Sequence, residues 1–377
     1  MKIHRKVNLK PNRLIFLAAK LLVVIFCQYS FGQTPTPTPR AEDEEIRIDS
    51  RLVVVPVSVT DAQGNPVAGL RKEDFQVFEE GKKQTVQAVG AADVVPLEIA
   101  ILFDISSSTG AMFKFEQQTA AQFLREVMKP IDRASVFSMG QAPVLVLPRD
   151  TREKAAQAIL SLTPTKESTA FFDTVAEAAN YLAKNAPAGS RKVILVISDG
   201  EDTNSAAIAK AIQSGINKSG SDFDRMSREN RYQFTVKLRN DAGNGERRRV
   251  AKSLQDSDTV FYSINPAGSS YLLNSISVFG QQNMELFANE TGGSAYLPRF
   301  APIDTSDALA NASNSKKNSE VLANIFKSLA NELQAQYLIQ YYSDTEYPNG
   351  RFVKLDVRLT DPTRGRLRAR QGYYVKN

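Results

Sequence analysis

Residues 97–104 read Leu-Glu-Ile-Ala-Ile-Leu-Phe-Asp, an almost unbroken apolar run of the kind a strand buried on both faces requires. A second run of this kind, Lys192-Val-Ile-Leu-Val-Ile-Ser198, follows after about 90 residues. Around these two the pattern alternates. Helical spacing over 111–128 places Phe115, Ala120, Phe123, Leu124 and Val127 near one face, and helices are expected over 151–162, 172–184, 284–290 and 318–333. Short strands are expected at 135–138, 144–147, 259–264 and 294–297, and Thr291-Gly-Gly293 punctuates the helix before the last of them. Strands alternating with helices predict an α/β fold with a doubly wound, mostly parallel sheet.

The two ends of the chain read differently. Residues 51–60, Arg-Leu-Val-Val-Val-Pro-Val-Ser-Val-Thr, are rich in β-branched side chains, and strands at 75–81 and 86–89 follow turns containing Gly and Pro. Three further strands are expected at 336–342, 352–359 and 367–375, separated by Pro348-Asn-Gly350 and Asp361-Pro362. Neither end has enough strands to stand alone, so residues 46–95 and 336–377 are expected to build one β-sandwich-like domain flanking an α/β domain over 96–335. Within the latter, residues 205–257 are too long for a single crossover helix. Between Lys218 and Lys252 they carry ten basic and five acidic residues. This stretch is expected to be a solvated insertion, with a hairpin at 232–239, a turn at Gly243-Asn-Gly245 and helices, or a contact surface for an acidic partner.

Composition removes most chemistry. Residues 1–32 hold six basic residues and no acid, which accounts for the whole net charge of +6, and they also hold the only histidine, His4, and the only cysteine, Cys27. A basic start, an apolar run over 14–27 and Ser30-Phe31-Gly32 read as a secretory signal cleaved after Gly32, with an uncleaved anchor as the alternative. Residues 33–45 form a Thr/Pro-rich linker beginning Gln-Thr-Pro-Thr-Pro-Thr-Pro-Arg, an extended spacer. The mature chain would then be neutral and free of His and Cys. That excludes serine and cysteine triads, histidine acid/base catalysis, Cys/His zinc sites and disulfides. Nucleic-acid binding loses its electrostatic support, and the aromatics of 205–257 form no stacking platform. The expected location is periplasmic, cell-surface or extracellular.

Oxygen chemistry remains. The first buried strand ends Asp104-Ile-Ser106-Ser-Ser108-Thr-Gly110, and the second ends Ser198-Asp199-Gly200. Ligands of open α/β sheets bind at the carboxyl ends of strands, where the strand order reverses. Asp104, Ser106 and Ser108 alternate, so they can face one point, and with Asp199 they supply carboxylates and hydroxyls without nitrogen or sulfur. Such a set suits a hard divalent cation.

These residues resemble the metal-ion-dependent adhesion site of von Willebrand factor A domains, and the resemblance spans about residues 96–300. The flanking segments, from Val55-Pro-Val-Ser-Val-Thr-Asp61 to Gln-Gly-Tyr373, are similar to those of a bacterial, acidobacterial-type subgroup of secreted proteins. Within Glu167-Ser168-Thr169, Thr169 matches the threonine that approaches the metal, although Glu167 stands where the family usually has glycine. The resemblance implies that Ser106, Ser108 and at times Thr169 contact the cation (Mg²⁺, with Mn²⁺ or Ca²⁺ as alternatives), while Asp104 and Asp199 act largely through water. A partner protein's Asp or Glu would complete the coordination, giving an adhesion-type binding module and no enzyme. Two other readings stand beside it. One is a structural scaffold whose degenerate site merely caps a helix through Asp104 and Ser108. The other is a carboxylate-based hydrolase, which would need a second carboxylate where Ser106 stands.

Overall fold

The computed structural model describes residues 51–376 apart from 107–109, 166, 267–274 and 302–306, and leaves aside the side chains of residue 93 and of residues 110–112. The expected signal over 1–32, the expected linker over 33–45 and Ser108 therefore lie outside the described residues. The chain begins with β1 (Arg51–Thr60), β2 (Phe75–Glu79), β3 (Lys82–Gln84) and β4 (Val86–Ala91). The α/β portion runs β5 (Leu97–Asp104), α1 (Gly110–Val127), β6 (Arg133–Met139), β7 (Pro143–Asp150), α2 (Arg152–Ser161), α3 (Phe171–Asn185) and β8 (Arg191–Ile197). It continues through α4 (Ala206–Ser219), α5 (Ser221–Arg225), α6 (Arg228–Asp256), β9 (Thr259–Ile264), α7 (Ser275–Thr291), β10 (Ala295–Tyr296) and α8 (Ala308–Gln334). The chain closes with β11 (Gln336–Ser343), β12 (Phe352–Leu359), β13 (Arg366–Ala369) and β14 (Gly372–Tyr374).

Six strands form the central sheet in the order β10-β9-β8-β5-β6-β7. All neighbours are parallel except the edge strand β7, which returns antiparallel to β6. The fold class is thus the expected one. The alternation along β5 explains why the sheet is covered on both faces. Leu97, Ile99, Ile101 and Phe103 point into a core shared with Phe123 and Leu124 of α1, Ile159 of α2 and Phe326 of α8. Ala100 and Leu102 point the other way, toward Phe171, Phe172 and Val175 of α3, Val250 and Leu254 of α6 and Phe287 of α7. Each large side chain removed from water in this way contributes about 1.5–3 kcal/mol.

The strand order has a direct consequence for ligand binding. From β5 the chain moves to β6 on one side, whereas β8 lies on the other side and leads on to β9. The order reverses between β5 and β8, so their carboxyl ends open a crevice at the switch point. Asp104 ends one strand and Asp199 follows the other.

The remaining strands make two four-stranded sheets, β13-β1-β11-β4 and β14-β12-β2-β3. β1 pairs antiparallel with β11 from Arg51↔Ser343 to Ser58↔Gln336, and β2 pairs with β12. Val53, Val55, Val57 and Val59 of β1 alternate into a core with Val77, Ile339, Tyr341, Val353 and Leu355, which makes a β-sandwich.

Residues 205–257 depart from expectation. No hairpin forms at 232–239, and Gly243-Asn-Gly245 is not a turn; both lie inside the 29-residue helix α6. Tertiary packing overrides the β propensity of Phe234, Thr235 and Val236, because Val236, Gly243 and Val250 recur every seventh residue and are buried along one face. Gly243 is needed for contact rather than for bending: a Cβ there would lie 2.6 Å from the Phe279 ring of α7. Far from being a solvated appendage, the carboxyl half of α6 supplies Val250 and Leu254 to the sheet's core.

Candidate metal centre

Asp104 and Asp199 are each half-buried at the switch point. Between them stands Ser198, fully buried. Its hydroxyl donates to Asp104 Oδ2 at 2.6 Å and accepts the Gly200 amide at 2.9 Å. Asp104 Oδ1 accepts the Ser106 amide at 2.9 Å, which turns the chain back over the strand end and places Ser106 beside the carboxylate. Asp199 Oδ1 accepts the Glu201 amide at 2.9 Å. The second strand's loop is therefore organised by the same local device as the first, a carboxylate bonded to the amide two residues on.

Thr169 enters from a third segment and is almost fully buried. Its amide donates to Thr203 Oγ1 at 2.8 Å, and its carbonyl accepts the amides of Thr203 and Asn204, both at 2.9 Å. The Thr165 amide donates to the Ile105 carbonyl, and the Ala170 amide to that of Gly140 at 2.8 Å. The 165–170 loop is thus stitched to the segments following both Asp104 and Asp199. Asp202 completes the stitching from below. It is buried, accepts the Phe172 amide at 2.8 Å and the Ser205 amide at 2.9 Å, and also receives the Ser205 hydroxyl.

Asp104, Ser106 and Asp199 lie together at the strand ends, and Thr169 lies in the loop tied to both. Ser108 falls outside the described residues. Ser198, Glu201, Asp202 and Thr203 also shape the site, and their signal in the sequence was the unusual density of oxygen-bearing residues over 198–205.

The electrostatics are those of an uncompensated acidic centre. Burial pushes the Asp199 carboxyl up to about 7, reinforced by the neighbouring charges of Asp104 and Glu201. Asp104 is raised for the same first reason, against the lowering effect of its bonds from Ser198 and Ser106, and Glu201 raises it further. Neither carboxylate forms an ion pair with a described residue. The donor set is all oxygen, which fits a hard divalent cation. Among the described residues no three carboxylates, imidazoles or thiols cluster as metal ligands, so hydroxyls would have to contribute.

Two surrounding features fix the rim. Gly200 has φ +77°, and a Cβ on it would lie 2.8 Å from the Gly280 carbonyl oxygen of α7. The same holds in reverse, since a Cβ on Gly280 would lie 2.5 Å from the Gly200 backbone. Helix and loop thus touch backbone to backbone beside Asp199. On the other side α6 runs past the site. At 1.5 Å per residue it is about 43 Å long, against about 23 Å for a seven-residue strand. Gly243 is level with Phe172 at the start of α3, so the turns before it stand beyond the strand ends. Arg239, one turn earlier, is half-buried, and its Nε and Nη1 have no hydrogen-bond partner among the described residues. Burial lowers its pKa against the attraction of Glu201 and Asp202.

Residues 99–201 match the family model of the von Willebrand factor type A domain. No curated protein matches the chain in sequence. Among solved structures, the von Willebrand factor type A protein from Catenulispora acidiphila is 14% identical, with 74% of this chain and 50% of that one covered at a TM-score of 0.37. An aerotolerance-related membrane protein from Bacteroides fragilis, carrying multiple mutations to serines, is 15% identical over 60% of this chain and 99% of that one, with a TM-score of 0.32. Proximal thread matrix protein 1 from the mussel byssus, with zinc occupied MIDAS motif, is 12% identical over 68% and 50%, with a TM-score of 0.39. The chain spans half the length of the Catenulispora and mussel chains.

Proposed function

Because the chain carries a von Willebrand factor type A domain, we propose that it is an exported, cation-dependent protein-binding module of the adhesion type. Ser106, Ser108 and Thr169 would hold a divalent cation, Mg²⁺ foremost, with Asp104 and Asp199 orienting its waters. The bound cation supplies an electrophilic position for a carboxylate of the partner protein. The observation that carries this reading is the pair of half-buried carboxylates, Asp104 and Asp199, brought together at the sheet's switch point with no ion-pair partner among the described residues.

The chain's own residues divide the work. Ser198 fixes Asp104 and leaves only part of its acceptor capacity free. The Glu201 amide does the same for Asp199. Ser106 stands where a phosphatase of the aspartate type would carry its acid/base. The reading is therefore of a binding module rather than an enzyme. Residues 1–32 would direct export and be removed, and residues 33–45 would form an extended spacer ahead of the folded part. Among the described residues no helix is long and apolar enough to cross a membrane.

The test is capture from envelope extract by the immobilised chain, in Mg²⁺ and in EDTA, alongside Asp199→Ala. A partner retained in Mg²⁺ and lost in both other arms supports the reading. A partner retained equally in all three makes the domain a scaffold.

A further inference from the structure

A second concave site lies at the opposite end of β8. Lys192 stands at the amino end of that strand and Asp199 beyond its carboxyl end, about 23 Å apart at 3.3 Å per residue. The cleft, of about 500 Å³, runs between the outer face of the β1/β11 pair and the amino ends of β8 and β9. That volume is within the range of small-molecule sites, which favour crevices of this kind.

Its two walls have different chemistry. On β1, alternation sends Val53 and Val55 into the sandwich core and Leu52, Val54 and Pro56 outward into the cleft. Leu338 of β11, opposite Pro56, extends that apolar wall. Leu52 is 47% and Val54 37% exposed, unusual for aliphatic side chains on a ladder's middle strands. The facing wall is cationic. Arg51, Arg191, Lys192, Arg370 and Lys376 line the cleft against a single carboxylate among the described residues, Asp258.

Three of those cations have capacity to spare. Lys192 is half-buried, and its ammonium forms no hydrogen bond or ion pair with a described residue. Burial holds its ammonium below the usual lysine range against the attraction of Asp258, with the like charges of Lys376 and Arg370 adding to the depression. Arg370 donates to Asp258 at 2.6 Å and to the Val54 carbonyl at 2.9 Å, yet its Nε is buried without a partner. Arg51 donates to the Tyr373 hydroxyl at 3.1 Å, and its Nε is likewise buried and unpartnered. The two guanidinium groups lie 5.2 and 5.5 Å from the Tyr373 ring centre, which holds both in place. Unpaired donors and like charges held together by the fold favour an anion, and the aliphatic wall beside them favours a chain attached to it.

We propose that this cleft binds a single-headed anionic amphiphile, its phosphate or carboxylate head against Lys192, Arg370 and Arg51 and its aliphatic chain along Leu52, Val54, Pro56 and Leu338. The site is independent of the strand-end centre and needs no cation.

The test is isothermal titration of the full chain with decyl phosphate and with decanoate, both below micelle formation. Inorganic phosphate and decanol are the head-only and tail-only controls. At least one amphiphile should bind saturably and at least tenfold more tightly than either control, and the tighter of the two identifies the head. Lys192→Gln should weaken that binding about tenfold. Val54→Asp, a change at an exposed position, should abolish it while thermal unfolding stays cooperative. Absence of saturable binding by both amphiphiles overturns the proposal, as does equal binding to wild type and Lys192→Gln.

Discussion

The Ser198 hydroxyl donates to Asp104 Oδ2 at 2.6 Å, joining the carboxyl ends of the two central strands through one partly buried bond. That hydroxyl also accepts the Gly200 amide at 2.9 Å, so a single oxygen sets the position of both acidic loops. Ser198→Ala removes the donor from Asp104 and leaves the Gly200 amide unpaired in a buried place. The expected loss is about 1–3 kcal/mol of stability. Mn²⁺ affinity should fall about tenfold, because Asp104 loses its orientation. Denaturant unfolding and calorimetry on the same variant check both.

Gly280→Ala tests the other support of the site. The added methyl group would lie 2.5 Å from the Gly200 backbone, so either α7 or the Asp199 loop must move. Overpacking of this kind costs about 1–3 kcal/mol. Cation affinity should drop with it, whereas Gly245→Ala, exposed within α6 where a Cβ meets nothing within 4 Å, should leave affinity unchanged and add about 0.5–1 kcal/mol of stability. Equal effects of the two substitutions on Mn²⁺ titration would remove α7 from the account of the site.

The central strands, their order of chemistry and the Asp-x-Ser and Ser-Asp-Gly ends were legible because β5 and β8 are nearly pure apolar runs that stop at oxygen-bearing residues. What stayed hidden depended on contacts distant in sequence. The helical state of Tyr232 to Arg239 is set by the burial of Val236, Gly243 and Val250, not by local propensity. The Gly243-Asn-Gly245 triplet reads as a turn unless one knows that Phe279 of α7 occupies the missing side chain's place. The amphipathic cleft was invisible for the same reason. Leu52 and Val54 look like any alternating strand until the amino end of β8 is seen across from them.

Titration of Asp199 gives the cation-free protein a recognisable pH dependence. Its carboxyl is raised from 3.8 to about 7 in the folded chain, chiefly by burial. The folded state then holds a proton that the unfolded state has released, so this group's contribution is complete below about pH 4 and is lost as pH rises through 7. In EDTA, the stability difference between wild type and Asp199→Asn should therefore shift against wild type from pH 4 to pH 8. Mn²⁺ affinity should run the opposite way and strengthen toward pH 8, since the cation competes with that proton. Urea unfolding across the range, with and without Mn²⁺, reads out both signs.

Arg239 separates cation binding from partner binding. Its guanidinium is drawn toward Glu201 and Asp202 but makes no hydrogen bond through Nε or Nη1. Arg239→Gln removes a positive charge from the rim, so Mn²⁺ should bind roughly threefold more tightly. An acidic partner should bind more weakly, because the rim loses a positive charge. Opposite changes in the two titrations are the expected result. Parallel changes would mean that Arg239 acts only through the fold.

The most direct measurement is calorimetric titration of the full chain with Mn²⁺, repeated on Asp104→Ala and Asp199→Ala. Wild type should bind saturably, and its unfolding should be stabilised by about 2.7 kcal/mol when Mn²⁺ reaches a hundredfold excess over Kd. Both variants should remain folded, since they lie at strand ends outside the two hydrophobic clusters, and should show neither heat of binding nor stabilisation. If wild type and Asp104→Ala titrate identically, the strand-end carboxylates only shape their own loops, and the cation-dependent binding module is contradicted.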